Sequence, residues 1–132
     1  MRYALVIAIS IAFVSMPAHS QHGHVKNSPC EKPASTAEMA NCTKKEGKAE
    51  DKKLDAYYQL ISKRLEGNEL TALQKAQNAW IKYRELNCTA ELALYEGGTA
   101  GSYNYNSCMG DMAQRRLREL KSIYAYWGIA RK

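Results

Sequence analysis

The sequence predicts an all-α protein, a small antiparallel three-helix bundle stapled by two disulfides. Three stretches repeat apolar residues at the spacing of an amphipathic helix, and none alternates as a half-buried strand does. Four cysteines follow a secretory leader, and an even count in an exported chain is typical of two disulfides. Short connections between successive helices favour antiparallel neighbours, so a three-helix bundle is the simplest architecture.

Residues 1–20 have the features of a cleavable signal peptide. A basic residue precedes an apolar run from Ala4 to Val14, and small side chains at Ala18 and Ser20 mark a cleavage site after Ser20. The apolar run is too short to span a bilayer, and no cysteine stands at the cut to carry a lipid. We therefore expect a periplasmic or secreted protein with no membrane span or lipid anchor. An uncleaved membrane anchor is the alternative.

Residues 21–34 are predicted to form a flexible tail, and residues 35–132 a helical domain. Loss of the signal peptide removes one arginine and no acid, so the formal net charge falls from +6 to +5. Such a charge favours acidic partners, including anionic wall polymers. Export and the lack of a nucleic-acid-binding motif argue against a nucleic-acid partner.

The first helix is predicted to begin where Ser35 and Glu38 form a capping box, and to stop at Gly67. Its apolar face is expected to contain Met39, Leu54, Tyr58, Ile61 and Leu65.

Asn68 is the predicted cap of the second helix, which is expected to run to about Leu94. Its predicted core face contains Leu70, Leu73, Ala76, Trp80 and Tyr83. Glycines then break the helix, and the third is expected from about Tyr105 to Tyr126. Its predicted core positions are Met109, Met112, Leu120, Ile123 and Trp127.

The four cysteines allow three disulfide pairings. We favour Cys30 with Cys42 and Cys88 with Cys108, because each pair closes a short loop between neighbouring elements. No two cysteines have the spacing of a zinc-ligand pair, so we expect no metal site.

Two arginines interrupt the apolar faces. Arg84 lies one turn beyond the tryptophan of the second helix, and Arg116 lies on the core face of the third. A guanidinium that faces a core needs a carboxylate or carbonyl partner, and we expect Glu38, together with Asp55 or Glu91, to pair with the two arginines. The alternative is that both side chains reach outward over apolar surface.

The residues of a catalytic site are missing from the predicted domain. The histidines of the exported chain, His22 and His24, lie in the tail, and the cysteines are expected to be oxidised. We therefore expect no catalytic residues, no enzymatic activity and no cofactor. Copper or nickel binding by the two histidines is a weaker alternative.

The strongest candidate for binding is the glycine- and tyrosine-rich segment 95–107, predicted to be a loop. Tyrosines make rigid contacts, while Gly, Ser and Asn adapt their hydrogen bonds. A disulfide at its base would lower the ordering cost of binding. The alternative is that the glycines only end a helix and the tyrosines pack on the core. The candidate contact residues are Tyr95, Gly97, Gly98, Tyr103 and Tyr105.

Together these spacings resemble the LprI-like family of small exported or lipid-anchored bacterial proteins, named for a lysozyme inhibitor. The similarity extends from about Cys30 to Leu120, nearly the whole exported chain. The residues that carry it are Thr36-Ala37-Glu38-Met39, Cys42, Leu54, Tyr58, Ala76-Gln77, Trp80, Tyr83-Arg84, Cys88, Glu96-Gly97-Gly98, Cys108, Arg116 and Leu120.

The resemblance implies an exported binding protein that inhibits lysozyme, and we expect segment 95–107 to make the contact. The alternative is a non-catalytic envelope module held by its basic charge to an anionic wall polymer. The expected partner is accordingly a protein, with lysozyme as the first choice, or that polymer.

Overall fold

The computed structural model of the protein describes Cys30, residues 35–96 and residues 98–129, without the side chain of Thr99. Three helices account for most of this part: α1 (Thr36–Ser62), α2 (Gly67–Ala93) and α3 (Thr99–Tyr126). Helix α3 packs against both α1 and α2, and its contact with α1 is the more extensive. The predicted all-α three-helix bundle is therefore confirmed. The predicted signal peptide and, Cys30 apart, nearly all of the predicted tail lie outside the described residues.

Helix α1 begins with the predicted serine cap. The Ser35 side chain accepts a hydrogen bond from the backbone N–H of Glu38 at 3.2 Å, which satisfies a donor that the first helical turn leaves unpaired. The helix ends after Ser62, five residues before the expected stop at Gly67.

The turn between α1 and α2 differs from the prediction. Helix α2 begins at Gly67, with Glu66 in the capping position, so Asn68 is not the cap. Leu65, which is 5% exposed, is buried in the core and fixes the path of the chain ahead of Gly67. Gly67 has a φ of 53°, a left-handed conformation that glycine adopts without a steric penalty.

Helix α3 begins at Thr99, about two turns earlier than predicted, so segment 95–107 is mostly helical. The sequence predicts that Gly101 interrupts the helix, but it is a buried helical residue. A Cβ atom on Gly101 would lie 2.9 Å from Cδ1 of Leu92 and 3.1 Å from Cβ of Tyr95. The missing side chain therefore allows the start of α3 to pack closely against the end of α2.

The core has two parts along the bundle. The larger, which we call the apolar end, is formed by the second half of α1, the first half of α2 and the second half of α3. Its buried residues are Leu54, Ile61, Leu65, Leu73, Ala113, Leu117 and Leu120. The smaller part contains Cys88, Cys108 and Met112, with Trp80, Tyr105 and Met109 packed against it.

Helices α1 and α3 approach most closely where two glycines face each other. A Cβ atom added to Gly110 would lie 3.1 Å from Cα of Gly47. A Cβ atom added to Gly47 would lie 3.4 Å from the carbonyl oxygen of Asn106. Backbone thus meets backbone here, which a larger residue at position 110 would prevent.

Four predicted core residues are exposed instead. On α2, Ala76 is exposed and Tyr83 is 58% exposed. On α3, Ile123 is 50% exposed, and Trp127, which caps the end of this helix, is 71% exposed. On α2 the core face lies one residue further along, at Gln77 and Arg84. None of the helices in the described part of the chain is long and apolar enough to cross a membrane.

Candidate functional site

Both predicted disulfides are present. Cys30–Cys42 ties the chain before α1 to the second turn of that helix, and Cys88–Cys108 joins α2 to α3. Cys88 and Cys108 are completely buried. The Asn87 amide lies 3.7 Å from the Cys108 sulfur, within reach of a weak hydrogen bond. The two cross-links fix the same end of the bundle.

This part of the molecule, which we call the loop end, comprises the loop Leu94–Gly98 and the first turns of α1 and α3. Leu94 is 80% exposed and Tyr95 is 38% exposed. Glu96 is left-handed with a φ of 46°, whereas Gly98 is extended and precedes the first turn of α3. The loop is therefore short, and it presents an exposed leucine and a tyrosine at the tip of the bundle.

The predicted contact residues are divided between this loop and α3. Tyr95 and Gly98 lie in the loop, while Tyr103 and Tyr105 are half-buried on α3. Gly97 lies outside the described residues. The Tyr105 hydroxyl donates a hydrogen bond to the Glu85 carboxylate at 3.0 Å. Burial, and then this bond, raise the pKa of Tyr105 above its ordinary value.

A groove of about 400 Å³ lies beside the loop, between the first turns of α1 and α3. Its lining combines two alanines, a leucine and the Tyr105 ring with two side-chain amides, a hydroxyl and the Lys44 ammonium. The Asn106 amide donates to the Ala40 carbonyl at 3.0 Å and joins the two helices below the groove. The lining residues are Ala37, Ala40, Asn41, Lys44, Leu92, Ser102, Tyr105 and Asn106.

The chemistry of this groove suits an amphipathic guest. Its apolar side chains can pack against the stem of a side chain, and its amides and hydroxyl can exchange hydrogen bonds with a peptide. Lys44 is the one charged residue among the lining side chains, so an acidic group is favoured at the rim. The volume admits one or two side chains rather than a folded segment.

The sequence predicts contact residues in segment 95–107 but does not single out most of the residues that line the groove. Ala37, Ala40, Asn41 and Lys44 recur at helical spacing on α1, a signal that small and polar residues made weak. Ser102 and Asn106 belong to the segment predicted as a loop, so their helical register was not foreseen.

Arg84 and Arg116 flank the Trp80 ring toward the middle of the bundle. The guanidinium carbons lie 5.0 Å and 6.0 Å from the ring centroid, and the arginine side chains are only 12% and 13% exposed. Arg84 pairs with Asp51, which joins α2 to α1.

Arg116 bonds to Gln77 at 3.2 Å and pairs with Glu119 at 3.2 Å. The prediction that Glu38, Asp55 or Glu91 pairs with the two arginines is therefore wrong. Glu38 lies in the first turn of α1, and Asp51 lies across from Arg84 because the arginine face of α2 turns toward α1. These contacts make the arginine cluster part of the helix packing.

Cys30, Cys42 and Glu46 also lie within 4.8 Å of one another. The two sulfurs are bonded to each other, so neither is a thiolate that could bind a metal ion.

Comparison with known proteins gives one family. A family model described as "Lysozyme inhibitor LprI" matches residues 30–120, a span that includes both disulfides. An uncharacterized protein of Rhizobium meliloti (strain 1021) is 29% identical over 109 residues, covering 71% of this chain and 77% of the relative. No solved structure matches the chain.

Proposed function

The chain belongs to the LprI lysozyme inhibitor family, and from this premise we propose that it binds a lysozyme through its loop end and blocks hydrolysis of the cell wall. The family match across residues 30–120 carries the proposal. The protein acts by occupying the enzyme and performs no reaction itself. We further propose that residues 1–20 direct its export, because lysozyme acts on the wall outside the cytoplasm.

The loop end is suited to this role because it is both exposed and held in place. Leu94 offers an apolar side chain at the tip of the bundle, and Tyr95 offers an aromatic one beside it. The Cys88–Cys108 disulfide and the buried Gly101 fix the base of the loop. A loop that is already ordered loses less conformational entropy when it binds.

The groove supports the proposal with a second contact. Retaining lysozymes use two carboxyl groups that flank the glycosidic bond to be cleaved. A peptide from the border of the cleft can place an acidic side chain against Lys44 while its stem lies over Tyr105. The inhibitor would then block entry of the polymer without reaching the bottom of the cleft.

Net charge opposes this encounter at long range. The exported chain carries +5, so a basic lysozyme repels it until local contacts form. Lys44 is the groove cation available for such a contact with an acidic rim residue. We expect slow association at low salt and faster association as salt screens the repulsion.

The test is lysis of bacterial cell walls by a panel of lysozymes, with the purified protein and two matched pairs of variants. Lys44→Met is compared with Lys48→Met, an exposed lysine one turn further along α1 that does not line the groove. Leu94→Asn is compared with Ile123→Asn, an exposed apolar residue at the opposite end of the bundle.

We expect the wild-type protein, Lys48→Met and Ile123→Asn to inhibit equally. Lys44→Met and Leu94→Asn should weaken inhibition by about tenfold or more, as residues central to an interface do. Lysis at the uninhibited rate with every lysozyme would reject the proposal. Equal inhibition by all variants would reject the loop end as the binding face.

The exposed lysines of α1 favour one other function, a module bound to anionic wall polymer. Lys44, Lys45, Lys48, Lys52 and Lys53 are all exposed on this helix. Charge-driven adhesion should collapse as ionic strength rises, whereas a shape-matched complex with lysozyme should not. Retention on purified wall polymer at low and high salt separates the two functions.

A further inference from the structure

Helix α2 carries an apolar stripe that nothing in the described part of the chain covers. Its six residues are all exposed, and Tyr83 and Leu86 are 58% and 60% exposed. We call this stripe the α2 seam; it contains Ala72, Ala76, Ala79, Tyr83, Leu86 and Ala90.

The spacing of the α2 seam is that of a coiled coil. Successive members are separated by four, three, four, three and four residues, which is the alternation of a and d positions in a heptad. The residues that pack inside the molecule form a separate face of α2, one that contains Leu73, Gln77 and Cys88. Helix α2 is therefore apolar on two faces, and the bundle uses only one.

The sizes of the seam residues match under a two-fold rotation. When two copies of α2 lie antiparallel with the axis beside residue 81, each a position of one copy faces a d position of the other. Small residues then oppose large ones in the central layers, and two alanines meet at each end. The layers are Ala72 with Ala90, Ala76 with Leu86, and Ala79 with Tyr83.

We propose that a second copy of this chain occupies the α2 seam in an antiparallel, two-fold helix pair. A partner of unrelated sequence would not explain why small residues of the stripe oppose its own large residues in the central layers. The contact is distinct from the loop end, so both copies of the dimer keep that end free.

The size and charge of the contact set its strength. The seam extends over ~27 Å of helix and is ~10 Å wide. Its area is well below the roughly 800 Å² per partner of a standard interface, so we expect a weak dimer that forms only at high concentration. Lys82 lies at one edge of the seam near the two-fold axis and would approach its copy. Like charges repel, so salt should strengthen the dimer.

The test is sedimentation equilibrium of the purified protein over a range of concentrations and at two salt concentrations. Leu86→Glu is compared with Ile81→Glu, because Ile81 is 51% exposed on the same helix but lies outside the seam. We expect dimerisation of the wild-type protein and of Ile81→Glu, and a loss of about tenfold or more in dimer affinity for Leu86→Glu. Circular dichroism checks that each variant is folded.

A charge-pair rescue tests the register. Ala76→Lys alone should also weaken the dimer, whereas Ala76→Lys combined with Leu86→Glu places opposite charges together in two layers and should restore association. A wild-type protein that is monomeric throughout would overturn the proposal. An equal loss of dimer affinity in Leu86→Glu and Ile81→Glu would show that the α2 seam is not the interface. A double variant that stays monomeric would contradict the antiparallel register.

Discussion

The apolar end and the loop end of this bundle are held together by different interactions. At the apolar end, seven buried residues form a continuous core, six from the three helices and Leu65 from the turn between α1 and α2. Between the apolar end and the loop end, the buried core is reduced to a cystine and one methionine. Toward the loop end, close glycine contacts and two disulfides replace the missing apolar packing.

The difference indicates that the apolar end stabilises the fold and the loop end provides the binding surface. Apolar burial contributes most of the stability of a small domain, so the end that contains the larger core should dominate unfolding. The loop end keeps its exposed leucine, its tyrosine and its groove available because cross-links maintain its shape. Substitutions at the apolar end should therefore change stability, and substitutions at the loop end should change binding.

The largest effect is expected at the centre of the apolar end. Leu120 is 1% exposed, and Leu120→Ala leaves a cavity that lowers the free energy of unfolding by about 2–5 kcal/mol. Urea denaturation measures the loss. Inhibition per folded molecule should stay at the wild-type level. A loss of inhibition by the folded variant would contradict the claim that the apolar end affects stability and not binding.

Removal of the buried cystine should have the next largest effect. The double variant Cys88→Ala/Cys108→Ala opens a loop with a sequence separation of 20 residues and should cost about 3 kcal/mol in the chain-entropy model. Hydrogen exchange should show faster opening at the loop end than at the apolar end. An equal increase in hydrogen-exchange rates throughout the bundle would show that the two ends unfold as one unit.

The glycine contact between α1 and α3 offers a matched pair. Gly110→Ala places a Cβ atom 3.1 Å from the backbone of Gly47 and should lower stability by about 1–2 kcal/mol despite the better helix propensity of alanine. Gly47→Ala meets its nearest atom at 3.4 Å and should be close to neutral. Thermal unfolding measures the stability of both variants. Equal melting temperatures for Gly110→Ala and Gly47→Ala would show that α1 and α3 can move apart at this contact without loss of stability.

The smallest effect is expected at Tyr105. Because its pKa is raised in the folded state, its contribution to stability is complete below about pH 10 and is lost as the pH rises through the folded-state pKa. Tyr105→Phe removes the bond to Glu85 and should cost about 1 kcal/mol or less at neutral pH. Urea denaturation at neutral and alkaline pH should show a shallower alkaline decline for the variant; parallel curves would contradict this assignment.

The sequence predicted the elements whose signals are local. Ser35 caps α1 through its own side chain, and both cysteine pairs close short loops. The early start of α3 could not be predicted, because Gly101 is favoured there by the packing of Leu92 from α2 and Tyr95 from the loop. A glycine that breaks a helix and one that allows close packing look alike in a single sequence.

Faces of helices were harder to predict than helices themselves. Helix α2 has apolar residues on more than one face. Periodicity alone therefore predicts Ala76 and Tyr83 in the core, whereas Gln77 and Arg84 lie there in the structure. The ion pair that turns Arg84 toward Asp51 involves a residue 33 positions away, and no local pattern predicts it. For the same reason the groove was missed, since its walls come from three helices.

The most direct test of the inhibitor proposal is hydrogen exchange of the protein with and without a lysozyme that it inhibits. We predict slower exchange at the loop end, in residues 94–98 and in the first turns of α1 and α3. Exchange around Leu65 at the apolar end should be unchanged. Protection confined to the apolar end, or no protection while the enzyme is fully inhibited, would contradict the assignment of the loop end as the binding face.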